Sequence, residues 1–393
     1  MLDDIVVVDL TRALAGPQAT MMLADLGARV IKVEPPAGDE SRGWGPPFVT
    51  GSDGAPVSSY FLACNRNKES VTADLKTDAG HDLLTDLVCR ADVLIENFRP
   101  GVLDRLGFDD DTLRQLNPGL IVCSISGFGH DGPEGGRAGY DQIAQGEVGL
   151  MSLTGEPGGE PTKVGVSIGD LTAGMNAAFG IVAALYERTR TGRGRRIRTS
   201  LLASLVGLHA YQGTRWTVAR EVPHAIGNDH PSITPYGLYP TADDPLQVAV
   251  GNQALWIPFA QLLDIDPADE RFATNADRVT HRDELRTLIE ARLVQEPCDT
   301  WLARFSAAGI PVGKVRTLDQ VYEWDQTRSQ GLVIPVEHPT LGTIELPGPA
   351  LRFDDRAEAG DRPAHVAPPR LGEHNESVRA WLDTFGDDKE HDA

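Results

Sequence analysis

"IVVVDLTRALAGPQATMMLADLGARVIKVE", residues 5–34, changes its periodicity twice. IVVVDL (5–10) is a nearly continuous apolar run, the pattern of a strand covered on both faces. GPQATMMLADLGA (16–28) has helical spacing, with Met21, Met22 and Leu26 on or near one face. RVIKVE (29–34) returns to a strand. Strand, helix and strand at this spacing make a parallel crossover unit. The alternation continues with a helix over 77–91, a strand over 92–98, a helix over 110–118 and a strand over 120–129. The first 130 residues therefore predict an α/β fold with a Rossmann-like parallel sheet.

At 393 residues the chain exceeds the ~250–300 at which single cores stop growing, so two domains are expected. The boundaries read as a large domain over 1–220, a Pro- and Gly-rich linker over 221–245, a smaller α/β domain over 246–330 and a C-terminal segment over 331–393. The small domain starts with a strand at LQVAVGN (246–252), followed by helices over 255–263, 281–294 and 299–308. Two strands joined by a turn at Thr340–Gly342 follow, and the charged tail GDDKEHDA (386–393) is expected to be loose. Residues 171–190 are apolar almost all round, which predicts a helix buried against the sheet or against a second subunit. It ends at Gly192 and Gly194, where Arg193, Arg195, Arg196 and Arg198 form a basic patch.

The formal charge of -21 argues against nucleic acid or an anionic membrane as partner. Cys64, Cys89, Cys123 and Cys298 are widely spaced, with no CxxC and no histidine cluster, so neither a zinc site nor a disulfide framework is expected. The acidic start MLDDIVVVDL is unlike a secretory leader, and no apolar run reaches ~18 residues without Gly or polar interruption. A cytoplasmic location is expected. The turn after the first strand, TRALAGPQAT, lacks the GxGxxG that brings a dinucleotide pyrophosphate to the backbone; GxxxxGK[ST], HExxH and GxSxG are absent too. Nicotinamide, flavin and the common hydrolytic or phosphoryl-transfer chemistries drop out.

Three features remain. The first is a set of strand-end turns, where an open α/β sheet meets its ligand: LAGP (14–17), ADLK (73–76), ENFRPG (96–101) and GFGHDGP (127–133), with donors Lys76, Asn97, Arg99 and Arg105. Each taken singly is also ordinary turn chemistry. The second is RAGYDQIAQ (137–145), in which Tyr140 and Asp141 stand at a helix start; Asp141 also reads as a simple cap. The third is GVSIGDLTAGMNAAFGIVAAL (165–185), a long apolar stretch whose single acidic residue is Asp170. As an N-cap its carboxylate would accept from first-turn N–H groups, and as a nucleophile it would attack an activated acyl group to give a mixed anhydride. The two roles are compatible.

Several stretches, in order, resemble the class III CoA-transferases: LAGPQATMMLADLGARVIKVE, SSYFLACNRNKESVTADLKT, ADVLIENFRPGVLDRLGF, SISGFGHDGP, GDLTAGMNAAFGIVAALYERTRTGRG, GNDHPSITPY, RFATNADRVTHRDEL and PPRLGEHN. The likeness runs from about residue 5 to 375. It implies a Rossmann-type large domain completed by the C-terminal segment, a small domain, and an interlocked homodimer. It implies Asp170 as nucleophile, with CoA contacts from Leu14, Ala15, Ala73, Asp74, Leu75, Lys76, Asn97, Phe98, Arg99, Arg105, Arg137, Tyr140 and Asp141. Acyl-CoA and an organic acid would be the substrates, with no metal and no permanently bound cofactor. Formyl-CoA transferases carry a polyglycine loop where VAVGNQALW here has only Gly251, which disfavours an oxalate-specific role. α-Methylacyl-CoA racemases have a histidine where this chain has Tyr140, so half of an acid/base pair is missing. The ending HPTLGTIELPGPALRF resembles transferases that use succinyl-CoA with dicarboxylic or hydroxy acids, and Arg42, Arg66 or His230 are candidates for a second substrate carboxylate. Each of the three also reads as surface or as fold-internal pairing.

Overall fold

The structure, a computed structural model, describes residues 1–354 and 359–385, so the 386–393 tail lies outside the described residues. The chain divides into two units. The larger takes Met1–Leu150, Lys163–Arg220 and the chain from Trp324 onward; the smaller takes Met151–Thr162 and Glu221–Glu323.

Six parallel strands form the larger unit's sheet: β1 (Val6–Asp9), β2 (Arg29–Glu34), β3 (Lys68–Thr72), β4 (Val93–Glu96), β5 (Ile121–Ser126) and β6 (Arg196–Ser200). Their spatial order is β3-β2-β1-β4-β5-β6, that of a doubly wound Rossmann sheet. The winding reverses between β1 and β4, so the turns after these strands flank the switch-point crevice where such sheets bind ligands. Successive side chains point to opposite faces. On one face Ile5 and Val7 pack with α1 (Ala15–Asp25) and α4 (Ile168–Thr191); on the other Val8 and Leu10 pack with α2 (Asp78–Arg90) and α5 (Asn375–Asp383). The short α3 (Asp141–Glu147) precedes α4.

Strands β3 and β6 were not legible as strands, and both owe this to charge. In β3, KESVT, Lys68 is buried because its ammonium donates to Asp9 (3.2 Å), the Asn65 side chain (2.9 Å) and the Pro17 carbonyl (2.9 Å). In β6, Arg196 meets Asp110, and beside it Arg195 pairs with Glu187 at 2.7 Å, so the supposed basic patch is largely neutralised by acids. The Lys32 and Asp39 side chains are likewise fully enclosed and paired at 2.9 Å.

The α4 helix is buried against the core on one side only. By length and composition it is long and apolar enough to cross a membrane. One face, Ala173, Ala177, Ile181 and Ala184, is buried in the core against α1. The other, Met175, Phe179, Val182 and Tyr186, is exposed, with Phe179 at 77%.

In the smaller unit β7 (Tyr236–Tyr239), β8 (Leu246–Ala249) and β9 (Val312–Lys314) form an antiparallel sheet in the order β9-β8-β7. Strand β7 lies inside the stretch read as a linker; its inward Gly237 and Tyr239 give it sheet periodicity that the surrounding Pro and Gly obscured. Trp256, Phe259, Trp301 and Phe305 fill this core, and the Phe259–Phe305 and Trp301–Phe305 ring pairs stack at 5.1 and 5.4 Å. Gly251 precedes Asn252, whose side chain accepts from the Leu255 N–H and caps the helix Gln253–Leu262.

Candidate active site

The strand-end turns open onto a cleft of about 520 Å³ in the larger unit. Its walls bring together nine of the residues singled out from sequence: Leu14, Ala15, Asn97, Phe98, Arg99, Arg137, Tyr140, Asp141 and Asp170. Ala73, Asp74, Leu75, Lys76 and Arg105 do not line it. Ala73 is buried at the end of β3, where its N–H donates to the Glu34 carbonyl at 2.8 Å; Asp74 accepts from the Lys76 N–H at 3.1 Å on the exposed turn. Leu75 packs on the core, and Arg105 closes the exposed short helix after Gly101. Because the strands are parallel, the ends of β3, β1 and β4 share one edge of the sheet, with neighbouring strands ~4.8 Å apart.

The loop after β1 is held from several sides. Lys32 Nζ donates to the Thr11 carbonyl at 2.7 Å, and Asp39 accepts from the Ala13 N–H at 3.2 Å. Asn97 spans Arg12, accepting from its N–H at 2.9 Å and donating to its carbonyl at 2.8 Å. The Asn97 side chain thus fixes the loop. Ala13 sits at φ 65°, a left-handed conformation costly for a residue with a Cβ, which these bonds sustain.

Asp170 is not the cap of its helix. Ser167 stands at the N-cap and makes no side-chain capping bond, while Asp170 is the third helical residue. The cap comes from another helix: Asp141 Oδ1 accepts from the N–H groups of Gly169 at 2.7 Å and, more weakly, Asp170 at 3.4 Å. Such groups have no partner within their own helix. A Cβ at Gly169 would lie 2.9 Å from Asp141 Oδ1, so glycine is what lets the carboxylate approach. One turn on, a Cβ at Gly174 would lie 2.6 Å from the Ala15 carbonyl oxygen, so this glycine lets α1 seat its start against α4.

Among the described residues none hydrogen-bonds the Asp170 carboxylate. Burial pushes its carboxyl up, and the Asp141 charge adds to this, to about 7. The helix N-terminus acts the other way, favouring the anion. The result is a carboxylate that is weakly solvated and unpartnered, hence more nucleophilic than one in water. Beside it stands Tyr60, a residue that sequence reasoning passed over although it sits in the quoted SSYFLACN. Burial and then the Asp170 charge push the Tyr60 phenol up to about 12, against a hydrogen bond with Ser167, so it keeps its proton and remains a donor. Trp44 braces the ring edge-on at a centroid distance of 4.9 Å.

Four cations line the cleft. Arg137 is occupied by Glu134 and Glu147 and lies 4.5 Å over the Phe128 ring. Arg12, Arg99 and Lys163 have no acidic partner among the described residues, unusual in a chain of net charge -21. Arg12 and Lys163 carried no motif that marked them. Arg42, Arg66 and His230 go the other way. Arg42 forms a bidentate pair with Glu34 (2.8 and 2.7 Å), Arg66 a buried one with Asp25 (2.9 and 2.5 Å), and His230 accepts from the Ser232 N–H in the smaller unit. Fold-internal pairing is their role.

Comparison with known proteins identifies the family. The model of "CoA-transferase family III" matches residues 2–375. A succinate–glutarate CoA-transferase of Agrobacterium fabrum is 41% identical over 98% of this chain and 96% of its own length. The mouse succinyl-CoA:glutarate CoA-transferase is 39% identical over 96% of this chain and 85% of its own. Among solved structures, a CaiB/BaiF family protein from Brucella suis superposes with a TM-score of 0.86 at 41% identity, covering 97% of this chain and 99% of that one. Fold, cleft and full-length similarity together show that this chain is an enzyme of CoA-transferase family III.

Proposed function

We propose that the protein moves CoA from succinyl-CoA, or a similar small acyl-CoA, to a dicarboxylic acid through covalent intermediates on Asp170. The observation that carries this reading is the unpartnered Asp170 carboxylate in the wall of the strand-end cleft. The named activities of the Agrobacterium and mouse relatives support the choice of substrates.

Each step balances with no proton, metal or redox group. An Asp170 oxygen attacks the thioester carbonyl; the C–S bond breaks and CoA leaves as thiolate, giving an aspartyl-acyl anhydride. The thiolate attacks the aspartyl carbonyl and expels the donor acid, leaving an aspartyl-CoA thioester. An acceptor carboxylate attacks that thioester, and the released thiolate takes the acceptor's acyl group, freeing Asp170. Tyr60, a retained donor, is suited to the oxyanion of these additions. Leu14, Ala15, Asn97, Phe98, Arg99, Arg137 and Tyr140 line the CoA path, and Ala73–Lys76 with Arg105 extend it along the strand-end edge. Arg12 and Arg99 offer charge to the CoA phosphates, and Lys163 to the far carboxylate of the acyl group. An α-carbon racemisation fits less well: Tyr140 is 65% exposed and Asp141 is engaged with α4, so no paired acid and base are presented.

The exposed apolar face of α4 supports a homodimer, since such a stripe on a soluble protein marks an interaction surface. Four free cysteines fit a reducing, cytoplasmic setting. Purified protein incubated with succinyl-CoA and a panel of acids, followed by mass spectrometry, tests the reaction: a new thioester that needs both one acid and Asp170 is the expected result, and silence with every acid would overturn it. Phe179→Glu is expected to convert a dimer to monomers by light scattering.

A further inference from the structure

Beside Asp170 runs a buried polar relay whose first member, Asp141, also lines the cleft. Asp141 is 8% exposed and Gln145 fully enclosed. Gln145 Nε2 donates to Asp141 Oδ2 at 2.6 Å, and Gln145 Oε1 accepts from the Val164 N–H at 2.9 Å. This fixes the amide's orientation, because a carboxylate only accepts and a backbone N–H only donates. With the bonds from Gly169 and Asp170 to Asp141 Oδ1, the relay ties the Lys163–Ser167 loop to the first turn of α4. Both oxygens of Asp141 are thereby engaged, which suits an anion held beside the reacting carboxylate.

We propose that Asp141 and Gln145 are positioning residues that set both the orientation of Asp170 and the pH at which it becomes a nucleophile. The inference rests on the reading of Asp170 as nucleophile. The remaining charged or titratable groups lining the cleft are Glu40, Tyr60, Arg12, Arg99, Arg137, Lys163 and Tyr140, and of these Arg137 is already paired. Asp141 stands out because its carboxylate contacts the Asp170 backbone itself. It has two opposed effects. Its bonds to the helix N–H groups align the first turn, and its like charge resists ionisation of Asp170. The second effect makes the Asp170 anion a better nucleophile once formed and a poorer leaving group, so it favours the steps in which Asp170 is acylated.

The test is the pH dependence of single-turnover CoA release from succinyl-CoA. In the native enzyme the rate is expected to rise through about pH 7, where Asp170 ionises. Asp141→Asn keeps an acceptor for the Gly169 N–H but removes the charge, so the midpoint is expected to fall by roughly one unit. Asp141→Glu keeps the charge, and its midpoint is expected to stay while the rate drops. Gln145→Met, which cuts both relay bonds at similar volume, is expected to lower kcat about tenfold with KM for the acyl-CoA unchanged. Asp141→Ser repeats the neutral substitution if the asparagine variant does not fold. An unmoved midpoint in a folded neutral variant, with rates lowered equally at every pH, would overturn the proposal and leave Asp141 a structural cap. Asp170→Ala run alongside separates the two readings: if it still turns over, the nucleophile assignment itself fails.

Discussion

Asp9 and Asp170 are two carboxylates of the same unit that burial pushes in the same direction and that end far apart. Burial would raise Asp9, but the Lys68 and Lys32 ammonium groups and the hydroxyls of Thr11 and Thr20 outweigh it and hold the carboxyl down at about 2. Among the described residues Asp170 has no cation and no donor on its carboxylate, and a second aspartate beside it, so burial prevails and it rises to about 7. The partners differ, and so does the consequence: Asp9 is tied into the fold beneath the strand-end loop, while Asp170 is left with unused bonding capacity that faces the cleft.

The contrast can be broken at either end. The largest effect is expected at Asp170: replacement by Ala should lower CoA transfer at least about 10³-fold, measured as new acyl-CoA, with CoA binding retained. At the other end Asp9→Asn removes the carboxylate paired with the buried Lys68 ammonium, while Lys32 keeps Asp39, and is expected to cost about 3–5 kcal/mol in denaturant unfolding while the cleft residues themselves are unchanged. If Asp9→Asn unfolds like the native protein, the cluster is not what holds the loop.

The two residues should also pull stability in opposite directions with pH. A carboxyl depressed in the fold contributes stability above its unfolded value near 3.9 and loses it as pH falls, so the Asp9 contribution fades between about pH 4 and 2. A raised carboxyl works the other way: the fold becomes less stable as pH climbs from about 4 to about 7 and Asp170 must ionise in a poor medium. Asp170→Asn is therefore expected to be more stable than the native protein above pH 7, by about 1–3 kcal/mol, with the gain vanishing near pH 4. A gain that is the same at every pH would point to packing instead of charge. The smallest effect is expected at Lys163, one of the three cleft cations without an acidic partner among the described residues. Lys163→Ala should raise KM for a dicarboxylic acyl-CoA about tenfold and leave a monocarboxylic one nearly unaffected.

Much of this was readable from the chain. The first strand, helix and second strand predict the sheet and its ligand edge, because apolar periodicity reports burial directly. Strands β3 and β6 were hidden because the residues that pair Lys68 and Arg196 come from elsewhere in the sequence. The same limit explains Arg42 and Arg66: a lone arginine looks free until Glu34 and Asp25 are found against it. Asp170 could be singled out as one acid in an apolar helix, yet its cap could not, since Asp141 reaches it from 29 positions away. Tyr60 and Lys163 carried no turn or periodic signal at all and enter the site only through the fold.

The close approach at Gly169 also bears on how this site can change over generations. Any side chain there would collide with Asp141 Oδ1, and loss of Asp141 would leave the glycine as a flexible weak point at the start of a helix. Neither position is free to drift alone. A lineage that abandons the arrangement does so most readily by altering both within a few steps, and a library that varies one position at a time is expected to find each hard to change alone.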